Sequence, residues 1–169
     1  MSDSDPQELD YLVIGYITED EARHRYVPGG SVYYGSVTAL RLGLKASVVT
    51  SCEENFPIPK DMSDSSVEVV PSKVTTRFRN EYQSKFGYSV RKQYVGNLAN
   101  EIRLADVPLH WRTVPLVHLG PLMGEISKDI TEAFPQSLVI ASIQGWIREL
   151  NPDGEVVRKY WEGSDVLKK

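Results

Sequence analysis

Residues 11–50 read YLVIGYITEDEARHRYVPGGSVYYGSVTALRLGLKASVVT, and this stretch decides the fold class. The first seven residues, 11–17, form a nearly continuous apolar run, which is typical of a strand buried on both faces. An acidic segment, 18–21, is predicted as a loop, and two glycines then precede a serine that makes a good helix N-cap. We predict a helix over 31–42 and a second strand over 44–50. This order predicts a right-handed crossover between parallel strands, and therefore an α/β protein.

The rest of the chain alternates strands with turns. Alternating side chains in Val74–Tyr82 and Tyr88–Val95 predict an antiparallel hairpin. Apolar residues spaced four apart after a proline predict a helix over 121–134. Residues 1–9 are polar and are predicted to be disordered, and Ser164 is predicted to start a last short helix. Further strands are predicted at Val67–Val70, ended by Pro71-Ser72, at Val114–Leu119 and at Ser137–Ser142, with a turn at Asn151–Gly154.

Charge and composition exclude several classes of protein. The 169-residue chain has 19 Lys and Arg against 23 Asp and Glu, a net charge of −4, which argues against a generally basic nucleic-acid-binding protein. The single cysteine, Cys52, offers neither a disulfide framework nor a cysteine zinc site, and we predict that it and His118 are packed core residues. The histidines are widely spaced, so no metal site is expected. The sequence has no basic signal-peptide start and no run of 18 apolar residues, so we expect a cytoplasmic protein that does not span a membrane.

The two glycines before the predicted helix are the sharpest local signal for a binding site. Gly29 and Gly30 would let the backbone approach a ligand, and the helix that starts at Ser31 would offer free N–H groups to a polar or anionic group. The alternative is a turn that only needs positive φ. Asp20 follows the first strand at the carboxyl end, where open α/β sheets bind ligands, and a carboxylate there can accept hydrogen bonds from two hydroxyls. The alternative for Asp20 is a solvated loop acid.

A basic and aromatic segment, Lys73–Val95, is the third signal. It holds six Lys and Arg against one Glu, a net charge of +5, which leaves −9 for the rest of a chain whose total is −4. Aromatic residues are interleaved with these cations. Such a hairpin can stack on bases and grip phosphates, close over a small ligand, pair with another subunit or simply present a solvated face.

In this arrangement the chain resembles the N-terminal part of the ribokinase-like (PfkB) carbohydrate kinase family. The resemblance covers nearly all residues from Asp10 onward. It is carried by DYLVIGYITED (10–20), VPGGSVYYGSVTALRLGLKASVVTS (27–51), VTTRFRNEYQ (74–83), LVHLGPLMGEI (116–126) and SLVIASIQGWIREL (137–150).

The resemblance implies a three-layer α/β fold with a parallel sheet and a small β lid. It places the ribokinase-like portion at 10–169 and the lid hairpin at about 67–104. It also implies phosphorylation of a hydroxyl of a sugar or nucleoside with ATP and Mg²⁺, and a possible homodimer through the lid. The substrate-binding residues that we carry over are Asp20, Gly29, Gly30, Ser31, Tyr34, Arg77 and Asn80.

Two departures from the family pattern qualify this expectation. Tyr34 stands where the family often has an Asn that contacts a sugar hydroxyl, which allows a flatter or aromatic substrate. The Gly-Ala-Gly-Asp motif that supplies the family's anion hole and catalytic base is absent from the sequence. We therefore expect a C-terminally incomplete, substrate-binding portion that binds neither ATP nor Mg²⁺ and is inactive alone. The alternatives are a non-catalytic ligand-binding or interaction protein of the same fold and, less favoured by the acidic composition, a single-stranded nucleic-acid binder.

Overall fold

The structure is a computed structural model that describes residues 8–22, 25–85, 87–161 and 163. Five short 3₁₀ turns, at Lys60–Met62, Leu104–Asp106, Leu109–Trp111, Ile130–Ala133 and Ile143–Gly145, connect the main elements. The helix and strands are β1 (Tyr11–Ile14), β2 (Thr18–Ala22), β3 (Arg25–Gly29), α1 (Ser31–Arg41), β4 (Ala46–Glu53), β5 (Ser66–Ser72), β6 (Thr76–Lys85), β7 (Tyr88–Asn97), β8 (Leu116–Leu119), β9 (Leu138–Ala141), β10 (Arg148–Leu150) and β11 (Val156–Arg158).

The first sheet is parallel throughout and has the order β5-β4-β1-β8-β9. The central strand β1 pairs with β4 on one side and with β8 on the other, and all four of its residues are buried. The predicted crossover is therefore confirmed, and α1 begins at Ser31 as predicted. A glycine at position 43 follows the helix with φ +82°, the conformation that terminates many helices.

Alternate residues of β1 point to two separate cores. Tyr11 and Val13 face α1, while Leu12 and Ile14 face the opposite side, where residues 102–114 and 126–134 pack as 3₁₀ turns and loops. The helix, the sheet and this turn layer make the three layers that the sequence predicted. On the α1 side the far strands are less covered, and Leu138 is 66% exposed.

The second sheet has four strands in the order β3-β2-β6-β7. The predicted hairpin forms its larger part, since β6 and β7 pair antiparallel along their length. Phe78 anchors the sheet, because its buried ring packs with Tyr16, Ala99 and Leu122 at the end of the first sheet. A separate small hairpin, β10-β11, is closed by the predicted turn at 151–154, where Gly154 N–H donates to the carbonyl of Asn151.

The predicted helix over 121–134 is wrong. Only Ile130–Ala133 forms a 3₁₀ turn there. Gly124 adopts φ +80°, which a helix interior does not allow, and the Glu125 side chain accepts the N–H groups of Leu122 and Met123. The apolar spacing reflects burial of Ile126 and Ile130 against the sheet and does not reflect a helix.

Two further sequence expectations are corrected by strand pairing. The acidic segment predicted as a loop is β2, which lies between β3 and β6 and pairs with both. The strand predicted to end at Pro71 continues through it as β5, since an edge strand that pairs only with β4 tolerates proline. Because β5 belongs to the first sheet, the segment 67–104 does not form one lid unit. The terminal segments 1–7 and 164–169, including the predicted last helix, lie outside the described residues.

Within the described ranges, no helix is long and apolar enough to cross a membrane.

We expect Leu12→Ala to lower the free energy of unfolding by about 3 kcal/mol, because the side chain is fully buried between strands and the cavity cannot be refilled. Leu138→Ala is the matched control, since an exposed leucine on the same sheet should change stability by less than about 0.5 kcal/mol. Urea denaturation measures both values. Equal losses in the two variants would contradict the assignment of the core.

Candidate substrate-binding site

The candidate site lies at the carboxyl edge of the first sheet, where the chain leaves β1 and enters β2. Helix α1 starts at the same edge, directly after Gly29 and Gly30 at the end of β3. Ligands in open parallel sheets bind at this edge because loops and helix N-termini converge there. The fold therefore places Asp20 and the two glycines close together, although they are nine and ten positions apart in sequence.

The carboxylate of Asp20 is half-buried against Gly29. Its Oδ1 accepts a hydrogen bond of 2.9 Å from the Thr18 hydroxyl. A Cβ placed on Gly29 would lie 2.5 Å from Asp20 Oδ2 and 2.7 Å from Thr18 Oγ1, so any side chain there would displace the carboxylate. Burial raises the pKa of Asp20, and the hydrogen bond from Thr18 opposes that shift.

The backbone conformation at position 30 requires a glycine. Gly30 adopts φ +91°, and a Cβ there would collide with the carbonyl oxygen of Tyr16. The N-cap is Gly30 and not Ser31 as predicted, and no side chain among the described residues caps α1, so the first N–H groups of the helix remain for another acceptor. The helix begins at Ser31, which is half-buried beside Gly120 in the loop after β8.

The strand register places two other predicted site residues, Asn80 and Arg77, on opposite faces of the second sheet. Asn80 shares a face of the second sheet with Phe78 and Asp20, and its Oδ1 accepts a hydrogen bond of 3.1 Å from Gln93. Arg77 lies on the opposite face, where it forms an ion pair with Glu19, its partner in the register. The same guanidinium stacks over the ring of Tyr26, 4.7 Å from the centroid. Arg77 is thus directed away from the carboxylate with which the sequence analysis grouped it.

Tyr34 lies in the first turn of α1 and is 61% exposed. Its ring packs edge-on against Tyr33, with 5.1 Å between centroids. It lines an open groove of about 450 Å³ between α1 and β8, together with Ser31, His118 and Ser142. The predicted set is therefore divided: Asp20 and Gly29 touch, Ser31 and Tyr34 line this groove, and Arg77 faces away.

The predicted core role of Cys52 is confirmed, whereas His118 is hydrogen-bonded as predicted but only half-buried, beside the open groove. His118 Nδ1 lies 2.8 Å from the Tyr11 hydroxyl and Nε2 lies 2.8 Å from Ser142 Oγ, while burial lowers the pKa of the imidazole. Cys52 is fully buried, and burial raises the pKa of its thiol to about 11, which leaves it protonated and inert at neutral pH.

Sequence reasoning missed Thr18 and Glu125. Thr18 fixes the Asp20 carboxylate and was assigned to a loop. Glu125 is buried in the loop after β8. It accepts hydrogen bonds from the backbone N–H of Tyr16, which follows β1, and from the backbone N–H of Met123 in its own loop. The sequence does carry a signal for Glu125, which is the one charged residue in the stretch 114–127. A lone charge in such a stretch is unusual for a side chain that faces solvent.

Comparison with known proteins gives matches in structure and none in sequence. No protein-family model matches the chain, and no curated protein matches it. A pyrophosphate-dependent kinase in the ribokinase family, solved with a pyrophosphate analog and myo-inositol, superposes with a TM-score of 0.72 over 90% of this chain at 24% identity. The chain has the ribokinase-like fold.

Other ribokinase-like structures agree. The sulfate complex of a pyrophosphate-dependent kinase in that family matches with a TM-score of 0.70 at 24% identity over 90% of this chain. The Arabidopsis thaliana ribokinase, solved with ribose and ATP, matches with a TM-score of 0.54 at 15% identity over 80% of this chain. The chain spans 55%, 56% and 53% of the lengths of these three ribokinase-like proteins.

We expect Gly30→Ala to destabilise the protein by about 3 kcal/mol, because it adds the strain of positive φ to a collision with the Tyr16 carbonyl. Gly43→Ala separates the two causes. It has φ +82° with no atom within 4 Å of the new Cβ, so it should cost only about 1 kcal/mol. Thermal denaturation of the two variants measures the difference. A Gly30→Ala loss no larger than the Gly43→Ala loss would show that the backbone at Gly30 is not held against Tyr16.

Proposed function

We propose that this chain is the substrate-binding portion of a ribokinase-like kinase that phosphorylates a hydroxyl group of a sugar, a related polyol or a nucleoside. The observation that carries the proposal is the half-buried Asp20 carboxylate, seated on Gly29 at the carboxyl edge of the sheet. It lies beside the uncapped N-terminus of α1.

The chemistry of this edge suits an alcohol substrate. A carboxylate with one oxygen held by Thr18 keeps further lone pairs for substrate O–H donors. Hydrogen bonds to a charged acceptor are stronger than neutral ones, and the partial burial of Asp20 reduces competition from water. The N–H groups at the start of α1 supply donors for substrate oxygens, so the site offers both partners that a hydroxyl needs.

The structural neighbours provide the first ligands to test. One was solved with myo-inositol and another with ribose, and both ligands carry adjacent hydroxyls. Their donors differ, since one kinase is pyrophosphate-dependent and the other was solved with ATP. Among the described residues, no group of three or more His, Cys, Asp and Glu side chains comes together to hold a metal ion. We assign neither a donor site nor a Mg²⁺ ligand to this chain.

The face of the second sheet that carries Asp20 would cover the substrate, and its far end would contact a second subunit. Tyr82 and Tyr88 are 68% and 77% exposed at the tip of the hairpin, where a solvated tip would favour polar residues. The opposite face is unsuited to nucleic acid, because three of its cations are neutralised. Arg77, Arg79 and Lys92 form ion pairs with Glu19, Glu81 and Glu155.

We expect Asp20→Asn to weaken binding of the preferred alcohol at least about tenfold, which corresponds to the loss of one charge-assisted hydrogen bond. Isothermal titration with myo-inositol, ribose and adenosine identifies the ligand and measures the change. Asp64→Asn is the control for net charge, since Asp64 is exposed and precedes β5 at the amino edge of the sheet. Equal affinity for Asp20→Asn and wild type, or no binding of any of the three ligands, would contradict the proposal.

We also expect the 169-residue chain to bind the alcohol without phosphorylating it. Phosphoryl transfer needs an anion hole, a base and a donor site, and the motif that the resemblance associates with the first two is absent from this sequence. A phosphate-transfer assay with ATP and with pyrophosphate tests this. Turnover by the purified chain that disappears in Asp20→Asn would show that the chain is a complete catalyst.

A further inference from the structure

Glu125 is a buried carboxylate that the proposed binding chemistry does not use. It is 4% exposed and lies in the loop after β8. Its oxygens accept hydrogen bonds from the backbone N–H groups of Tyr16 at 3.1 Å, of Leu122 at 2.9 and 3.0 Å and of Met123 at 2.8 Å. Burial raises the pKa of this carboxyl, and the hydrogen bonds oppose the shift.

The hydrogen bond to Tyr16 distinguishes Glu125 from an ordinary loop residue. Leu122 and Met123 belong to the same loop as Glu125, so their N–H groups serve only to shape that loop. Tyr16 is 109 residues away, in the segment that joins β1 to β2. Burying a carboxylate costs free energy unless donors surround it, so this bond fixes the spacing between the two loops.

Tyr16 connects the loop of Glu125 to the candidate site through two contacts. Its carbonyl oxygen lies where a Cβ on Gly30 would be, so the position of Tyr16 sets the position of the backbone before α1. Its hydroxyl donates a hydrogen bond of 2.6 Å to the carbonyl of Ala99, and the Ala99 N–H donates at 3.0 Å to Thr76 Oγ1. Thr76 pairs with Thr18, the residue that holds Asp20.

We propose that Glu125 is a positioning residue for the alcohol site: through Tyr16, its carboxylate holds Gly30 and the strand of Asp20 at the spacing that the substrate hydroxyls require. The part of the inference that concerns ligand affinity rests on the proposed function. The part that concerns the backbone at Tyr16 and Gly30 is measured by hydrogen exchange and needs no ligand.

The test is Glu125→Gln in the full chain. Glutamine has the same size but replaces one acceptor oxygen with an NH₂ donor. The carboxylate oxygen that accepts from Tyr16 makes the longer bonds, at 3.1 and 3.0 Å, and the other oxygen makes the shorter bonds, at 2.9 and 2.8 Å. We expect the amide oxygen to keep the shorter bonds, so the NH₂ takes the other position and the bond to Tyr16 is lost. We expect the dissociation constant for myo-inositol, or for whichever of ribose and adenosine binds, to rise at least about tenfold. Hydrogen exchange of the Tyr16 and Gly30 amides, followed by NMR, should accelerate at least tenfold, while the Val48 amide in β4 keeps its wild-type rate.

Ser137→Ala is the control for a lost hydrogen bond of a half-buried side chain. The Ser137 hydroxyl donates at 2.6 Å to the carbonyl of Val114, at the amino edge of the same sheet. This variant should melt at a lower temperature with unchanged ligand affinity and unchanged exchange at Tyr16. Tyr16→Phe is the second test variant, because it removes only the hydroxyl contact to Ala99 and should still raise the dissociation constant.

A Glu125→Gln protein that melts earlier but keeps its affinity and its exchange at Tyr16 and Gly30 would overturn the inference, since Glu125 would then only shape its own loop. If Glu125→Gln does not fold, unchanged affinity in Tyr16→Phe overturns it. If the wild type binds none of the three alcohols, the proposed function fails separately, and exchange at Tyr16 and Gly30 alone decides the role of Glu125.

Discussion

The chain crosses from one sheet to the other within three residues, 15–17, and the arrangement of the molecule depends on that crossing. Strand β1 ends at Ile14 in the first sheet, and β2 begins at Thr18 in the second. So short a connection leaves little freedom, and its backbone N–H groups are buried away from water. The Ile17 N–H donates at 2.7 Å to Thr50 Oγ1 in β4, so the crossing is held by the first sheet as well as by the loop after β8.

A charged group and a backbone of minimal bulk define the site next to this crossing. The Asp20 carboxylate occupies the volume that a side chain on Gly29 would fill. Its partial desolvation favours the neutral form of the acid, while Thr18 favours the ionised form. A ligand hydroxyl that donates to this carboxylate would add to the effect of Thr18, so ligand binding and ionisation of Asp20 would support each other.

Local signals predicted the elements that depend on nearby residues. The two glycines and the glycine at 43 marked the ends of α1, although the N-cap is Gly30 and not Ser31, and the unbroken apolar runs marked the central strands. The alternation in 74–95 predicted β6 and β7 because a hairpin pairs neighbours in sequence. The carboxyl-edge rule for parallel sheets predicted the place of Asp20, and its grouping with the two glycines came from the resemblance.

The elements that depend on distant partners were not predictable in the same way. Strand β2 has the sequence TEDEA, which disfavours a strand, and it forms because β3 and β6 supply hydrogen bonds on both sides. Without β2, the register that turns Arg77 toward Glu19 and away from Asp20 could not be deduced. The apolar spacing after Pro121 matched a helix, but Gly124 adopts φ +80°, and the backbone at Glu125 and Ser127 pairs with the distant Ile102.

The pairing of β1 with β8 has a consequence for how the protein folds. Tyr11 lies beside Leu116 in the register, so the two central strands of the first sheet are separated by more than 100 residues of chain that include the whole second sheet. To form contacts so distant in sequence, the chain must first lose much conformational entropy, and the contacts stabilise it only afterwards. Such contacts therefore slow folding. The β1-α1-β4 unit, whose strands pair Tyr11 with Ala46, lies within residues 11–53, so its strands meet across a much shorter stretch of chain. Strands β8 and β9 must then be added to an exposed edge of β1, which makes this edge the part of the nascent chain most open to wrong strand pairing.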